Sequence, residues 1–241
     1  MKITFMGAAQ TVTGSCYILE NGHNRFSIDC GMHQGNEEIE KRNLNMAPYR
    51  PSELDFVLVT HAHIDHTGLL PRLVAKGFKG PIYATPPTQD LERIMLLDSA
   101  HILEMEAEWR TGHGQRHGQA AELALYTTAD AEACLNLFKP VEYGKPFEPG
   151  EGVRVVYRDA GHILGSALIE LEYEENGKST KLVFSGGLGR PHQLLVEDPS
   201  LVETTDYLFL ESTYGDRNHK DDSNSLDELA EAVAYAHRNG E

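Results

Sequence analysis

The sequence predicts a mixed α/β or α+β chain with a mainly stranded core, and three observations carry that reading. Short runs rich in β-branched and aromatic residues recur between turn signals along the chain. Two Asn-Gly pairs, Asn21-Gly22 and Asn176-Gly177, mark tight hairpins between such runs. Longer segments with helical patterning separate the runs, so strands and helices alternate.

In chain order, strands are expected at 2–6, 16–19 and 25–29, with Asn21-Gly22 turning between the last two. The run Phe56-Val57-Leu58-Val59 is apolar without alternation and reads as a fully buried strand. A helix follows over 68–76, with Pro71 in its first turn, where a missing N–H is tolerated, and Gly77 as its stop. Next come a strand at 81–84, a long helix from about 88 to 109, and a helix at 128–138. Strands at 153–157, 167–173, 181–184 and 206–210 continue the set, and Glu174-Glu175-Asn176-Gly177 makes a polar turn inside it. A last helix over 226–237 puts Leu226, Leu229, Val233 and Ala236 on one face. No internal repeat or low-complexity tract is present.

At 241 residues, 40% hydrophobic and 24% charged, the chain can bury a core without staples. No apolar run approaches membrane-spanning length, and the first residues are too soon interrupted for a signal peptide. Cys16, Cys30 and Cys134 are odd in number and widely spaced, so they read as core thiols of a protein in a reducing cytoplasm. A net charge of −16 argues against a generally basic nucleic-acid surface. It leaves open a substrate phosphate drawn in locally by a dication.

The chemistry concentrates in Thr60-His61-Ala62-His63-Ile64-Asp65-His66-Thr67-Gly68. His61 and His63 are two apart, a spacing that puts both rings on one side of an extended chain. Asp65 and His66 fall where strand gives way to helix, aimed at the same space. Imidazoles with a carboxylate suit zinc or a similar divalent ion. His113 and His117, set among glycines in residues 111–118, read instead as part of a mobile polar loop. Gly-rich stretches match neither a phosphate-binding P-loop nor a dinucleotide fingerprint.

The H-x-H-x-D-H-x-G pattern after a hydrophobic strand resembles the metallo-β-lactamase fold. The opening Gly7-Ala8-Ala9-Gln10-Thr11-Val12-Thr13-Gly14-Ser15-Cys16-Tyr17 resembles its β-CASP branch. So do Ala160-Gly161-His162-Ile163-Leu164-Gly165-Ser166-Ala167 and Glu211-Ser212-Thr213-Tyr214-Gly215. These versions look like the RNA-processing side of that branch, related to the pre-mRNA cleavage endonuclease. The resemblance implies an αββα sandwich, here its first lobe over 1–210, with 211–241 as the truncated entry to a β-CASP insertion. It implies a zinc-dependent ribonuclease that cuts RNA phosphodiester bonds by metal-activated hydroxide.

By the same resemblance, His61, His63 and His162 hold a first metal, and Asp65 and His66 a second. Asp29 orients the metal-binding loop. Asp65 and Glu211 are the catalytic candidates, Glu211 helping to position a leaving-group histidine that lies beyond this chain; His219 and His237 are poor substitutes for it. One departure stands out. The family places an aspartate that bridges both metals at the position of Gly187, in Ser185-Gly186-Gly187-Leu188-Gly189-Arg190. One zinc is therefore expected here against two in the family. RNA is the expected partner, no membrane is expected, and uncovered apolar surface is expected to drive self-association or aggregation. Two rival readings are a non-catalytic binding or assembly subunit, suggested by Gly187, and a hydrolase of thioesters or lactams on the same fold.

Overall fold

The computed structural model describes residues 1–115, 123–175, 177–217 and 225–240. Its strands form two sheets. The first runs in the order of its strands: β1 (Lys2–Gly7), β2 (Cys16–Glu20), β3 (Arg25–Ile28), β4 (Phe56–Leu58), β5 (Ile82–Ala84) and β6 (Phe138–Pro140). Its β1, β2 and β3 pair antiparallel, whereas β3 to β6 pair parallel. Parallel neighbours need crossovers, and helices supply most of them. Between β3 and β4 lies α1 (Glu37–Glu40); α2 (Ile64–Thr67) and α3 (Leu70–Ala75) join β4 to β5. α4 (Pro86–Gln115) and α5 (Thr128–Leu135) join β5 to β6. The second sheet comprises β7 (Phe147–Gly150), β8 (Val153–Asp159), β9 (Ala167–Glu175), β10 (Lys178–Phe184) and β11 (Tyr207–Phe209). It is antiparallel except for the parallel pair β10 and β11.

Strand β4 shows why the run at 56–59 carries no polar alternation. Phe56 and Leu58 point between the sheets, into a core with Phe26 and Ile28 from β3 and Val155, Tyr157, Ile169 and Leu171 from the second sheet. Val57 and Val59 point the other way, into a core shared with Leu70 and Leu73 of α3, Leu96 and Ala100 of α4, and Ala131 of α5. A strand covered on both faces must be apolar throughout. Residues 1–211 thus stack a helical layer, a six-stranded sheet and a five-stranded sheet.

Most expected elements are present, with three differences. The helix expected at 128–138 stops at Leu135, and Phe138 starts β6 in register with Ile82. Pairing with β5, where Ile82 donates to the Leu137 carbonyl, takes the residues that helical pattern alone would keep. The loop expected around His113 is instead the end of α4, whose helix runs through Gly112 and Gly114. Extending an established helix costs less than starting one, and each glycine adds only about 1 kcal/mol against alanine. His117 and His219 lie outside the described residues. The short strands β6 and β7, with Pro140 and Gly150 in them, gave no sequence signal. At the polar turn, Glu175 pairs with Lys178 across a two-residue loop; Asn176 lies outside the described residues.

All three cysteines are buried, unpaired thiols. No described helix is long and apolar enough to cross a membrane. The chain separates into two compact units, Met1–Glu211 and Ser212–Glu241. The second contains α6 (Ser225–Asn239), with Asp227 and Glu228 in its first turn and Arg238 in its last, each sign matched to the helix dipole.

Glu92, on α4, is fully buried. Burial raises its carboxyl pKa well above 4.5, opposed by the Thr67 hydroxyl and reinforced by the charge of Asp29. The folded chain thus keeps a proton that the unfolded chain releases above pH 4.5. Stability contributed by this group is complete below that pH and falls as pH rises through the folded-state value. Glu92→Gln, neutral throughout, is expected to melt with the parent near pH 4 and above it at pH 8. Thermal melts at both values check this; the same difference at both would refute it.

Candidate metal centre

Every candidate residue lies in a segment that leaves the C-terminal end of a strand. Asp29 follows β3, residues 61–66 follow β4, His162 follows β8, Gly187 follows β10, and Glu211 follows β11. Ends of parallel strands are where α/β sheets collect their ligands.

The segment after β4 is pinned from beneath by the backbone entering β2 and leaving β3. Ser15 N donates to Asp65 O (2.8 Å), Cys30 N to His66 O (2.8 Å), and Met32 N to Ile64 O (3.0 Å). Gly31 is required for this approach, since a Cβ there would lie 1.7 Å from the Asp65 carbonyl oxygen. These bonds hold α2 as a single turn, with His63 as its N-cap and Asp65 and His66 inside it.

Asp29 sits in the left-handed region at φ 57°. Its Oδ1 accepts from Thr60 N (2.8 Å), and its Oδ2 accepts from Thr60 Oγ1 (2.8 Å). The same Oδ2 is 2.7 Å from His66 Nδ1. Thr60 Oγ1 also lies 3.0 Å from His61 Nδ1. Since the hydroxyl gives its proton to Asp29, it accepts one from His61 Nδ1. That fixes the His61 tautomer with its Nε2 lone pair free.

His61 Nε2 is 3.0 Å from His63 Nδ1, which is 3.3 Å from His162 Nε2. One nitrogen from each of the three rings falls within 4.8 Å of the others. A tetrahedral zinc with bonds of about 2.0–2.1 Å separates its ligand atoms by about 3.4 Å. Burial lowers the pKa of His61 well below 6.5, and it lowers those of His63 and His162 as well. All three are held as neutral imidazoles, the form that a metal needs. The donor set fits one zinc.

The loop carrying His162 is held by Ser166, whose Oγ accepts from His162 N (3.0 Å) and Ile163 N (3.2 Å). Ala167 N donates to Thr60 O (2.8 Å), which ties β9 to the segment carrying His61. The glycine-rich loop after β10 lies over His162: Gly189 N donates to Ala160 O (2.9 Å). At Gly187, a Cβ would lie 2.4 Å from His162 Cδ2 and 2.7 Å from its Nε2. The His162 ring therefore fills the space that a side chain at 187 would take.

Asp65 and His66 are adjacent but less converged, with Asp65 Oδ2 3.9 Å from His66 Nε2. Burial works to lower the His66 pKa, but Asp29, then Asp65 and Glu211, raise it overall. Glu211 is fixed by the loop after β10: its Oε1 accepts from Leu188 N (2.6 Å), and its N–H donates to Ser185 Oγ (3.0 Å). The sequence assigned no role to Thr60 or Ser166. Both stand inside quoted motifs, and their hydroxyls carry no signal apart from position.

Two sheets whose strand ends present a histidine cluster define a metallo-β-lactamase-type fold. The chain belongs to the metallo-β-lactamase superfamily, whose family model matches residues 10–231. It is 36% identical to the ribonuclease TTHA0252 of Thermus thermophilus over 97% of its own length and 48% of that protein's. It is 30% identical to the transcription termination factor FttA of Methanocaldococcus jannaschii, over 89% of this chain and 32% of that one. It is also 30% identical to cleavage and polyadenylation specificity factor 73 of Drosophila melanogaster, over 91% and 30%. By name, these relatives are a ribonuclease, a transcription termination factor and a cleavage and polyadenylation factor. The chain spans between about a third and a half of their lengths. Among solved structures, the subclass B3 metallo-β-lactamase BJP-1 of Bradyrhizobium japonicum matches at a TM-score of 0.50 and 14% identity, over 99% of this chain and 93% of that one. That likeness concerns the fold alone.

About one tightly held zinc per chain is expected from elemental analysis after dialysis against a weak chelator. His63→Ala should lose most of it and His113→Ala none. Two ions retained per chain would contradict the single complete set.

Proposed function

We propose that this chain carries the metal-binding half of a zinc-dependent β-CASP-type ribonuclease. The observation behind this is the convergence of His61, His63 and His162 within 4.8 Å, in a chain whose relatives include a ribonuclease. When bound, zinc supplies Lewis acidity and an activated water for attack on a phosphodiester.

The chain's own residues do the rest. His61 Nε2, His63 Nδ1 and His162 Nε2 hold the ion, and burial keeps them unprotonated. Asp29 orients His61 through Thr60, and it orients His66 directly. Asp65 and His66 are the ligands that a second ion would find, and Glu211, bonded to the glycine-rich loop at Leu188 N, acts on His66 by its charge. The second set is incomplete, because Gly187 brings no carboxylate between the two positions. Without that bridging charge, the repulsion between two dications about 3.5–4 Å apart is offset less, by Asp65 and Glu211 at one side only.

The test is to offer the zinc-loaded chain labelled RNA, nitrocefin and a thioester. RNA should be cut and the other two left intact; nitrocefin hydrolysis without RNA cleavage would overturn the reading. Gly187 favours a second reading, a non-catalytic assembly subunit, which predicts RNA binding without cleavage whether zinc is present or absent.

Substitutions at 187 separate the two effects of the missing side chain. Gly187→Ala pushes the His162 ring aside and returns no ligand, so zinc affinity should fall about 10–100-fold. Gly187→Asp moves the same ring but adds a carboxylate, and should take up a second ion and hydrolyse bis-p-nitrophenyl phosphate faster than the parent. If Gly187→Asp binds no more metal than Gly187→Ala, with circular dichroism unchanged, the loop does not belong to the centre.

A further inference from the structure

The histidine cluster draws its ligands from two separate segments, residues 61–66 and the loop at 160–166. The second lies against the first turn of α4 and the residue before it, and the first is followed by Thr67, the residue that α4 approaches through Glu92. Thr85 Oγ1 (2.6 Å) and Thr88 Oγ1 (2.9 Å) both donate to the carbonyl of Gly165, in the loop that carries His162. Both threonines are buried. Gly165 has φ 82°, and a Cβ there would lie 2.5 Å from Thr88 N, so only glycine allows this approach.

One turn further along the same face, four residues from Thr88, is Glu92. It is fully buried, and neither carboxyl oxygen has a partner at hydrogen-bonding geometry. The polar side chain nearest in effect is Thr67, itself fully buried at the end of α2. Thr67 Oγ1 donates to the His63 carbonyl (3.1 Å). With its proton given to the His63 carbonyl, the Thr67 hydroxyl has its lone pairs left to face the unpartnered Glu92 carboxyl.

We propose that Thr88 and Glu92 on α4 are positioning residues for the metal centre: Thr88 sets the loop of His162, Glu92 sets the turn of His63 through Thr67, and the rigid helix between them fixes their separation. The idea rests on the metal-centre reading above. Apolar residues would fill these buried positions at less cost, since a buried polar group must repay its lost hydration. Two of them, on one helix face and each directed at a different ligand segment, have a common purpose in holding the segments in register.

The experiment compares the chain with Thr88→Val, Thr88→Ser, Glu92→Leu and Glu92→Gln. Zinc affinity is read by competition with a chromophoric chelator, and geometry by the visible spectrum of the cobalt-substituted chain; melting curves show that each variant is folded. Thr88→Val and Glu92→Leu should each weaken zinc binding about 10–100-fold and alter the cobalt bands. Thr88→Ser and Glu92→Gln, which keep a donor, should restore both. Should either apolar variant not fold, Thr85→Val or Thr67→Val takes its place. Parent affinity and spectrum in both apolar variants would overturn the proposal. If the parent itself takes up no metal, the metal-centre reading fails instead. The positioning is then read from imidazole ¹⁵N resonances of the metal-free chain: Thr88→Val should shift those of His162 and Glu92→Leu those of His63, and unmoved resonances would overturn it.

Discussion

The Asp29 carboxylate is the interaction on which the candidate site depends. Its two oxygens accept from Thr60 N, Thr60 Oγ1 and His66 Nδ1, within 2.8 Å in each case. Remove that carboxylate and Thr60 loses what orients its hydroxyl, His61 loses its fixed tautomer, and His66 loses its partner. The residue adopts φ 57° to reach these groups, a conformation that an aspartate tolerates better than most side chains. Buried and acceptor-only, it is satisfied by donors from a different strand, so β3 and β4 are held in register at the end where the chemistry gathers.

Packing and electrostatics reinforce each other around that group. The cores on either side of the first sheet bury β4 completely, and burial is what keeps the three cluster histidines neutral. His66 is the exception, because Asp29 sits against it. Burial thus lowers the pKa of three neighbouring histidines, while Asp29, with Asp65 and Glu211, raises that of the fourth. The division follows from geometry, since all four rings are close: His61 and His66 are 4.1 Å apart by centroid, and His61 and His162 are 5.0 Å apart.

How much of this was legible in the sequence varied with the distance over which each feature is encoded. His61, His63, Asp65 and His66 stand within six positions of one another, after an apolar strand, so spacing alone announced them. Asp29 and His162 came from motif resemblance, because nothing local distinguishes them from a turn aspartate and a loop histidine. Glu92 left no trace: a glutamate on a helix rich in acidic residues reads as solvated, and only tertiary packing puts it inside. The same holds for β6, where three residues join a sheet because β5 offers an edge, against the helical pattern just before them. Gly187 was legible as a missing carboxylate, but its other aspect, the room it gives the His162 ring, needed coordinates.

The separation of the ligands along the chain has a consequence for how the protein comes into being. His63 and His162 are 99 residues apart, and they meet only when the loop after β8 folds over the end of β4. On the proposed metal reading, an ion arriving early during synthesis would find a two-histidine stub whose lasting hold awaits the second sheet. Loading would then be a late event, following the docking of the two sheets. A chain whose sheets fail to dock would stay metal-poor however abundant the metal, so occupancy doubles as a mark of completed folding.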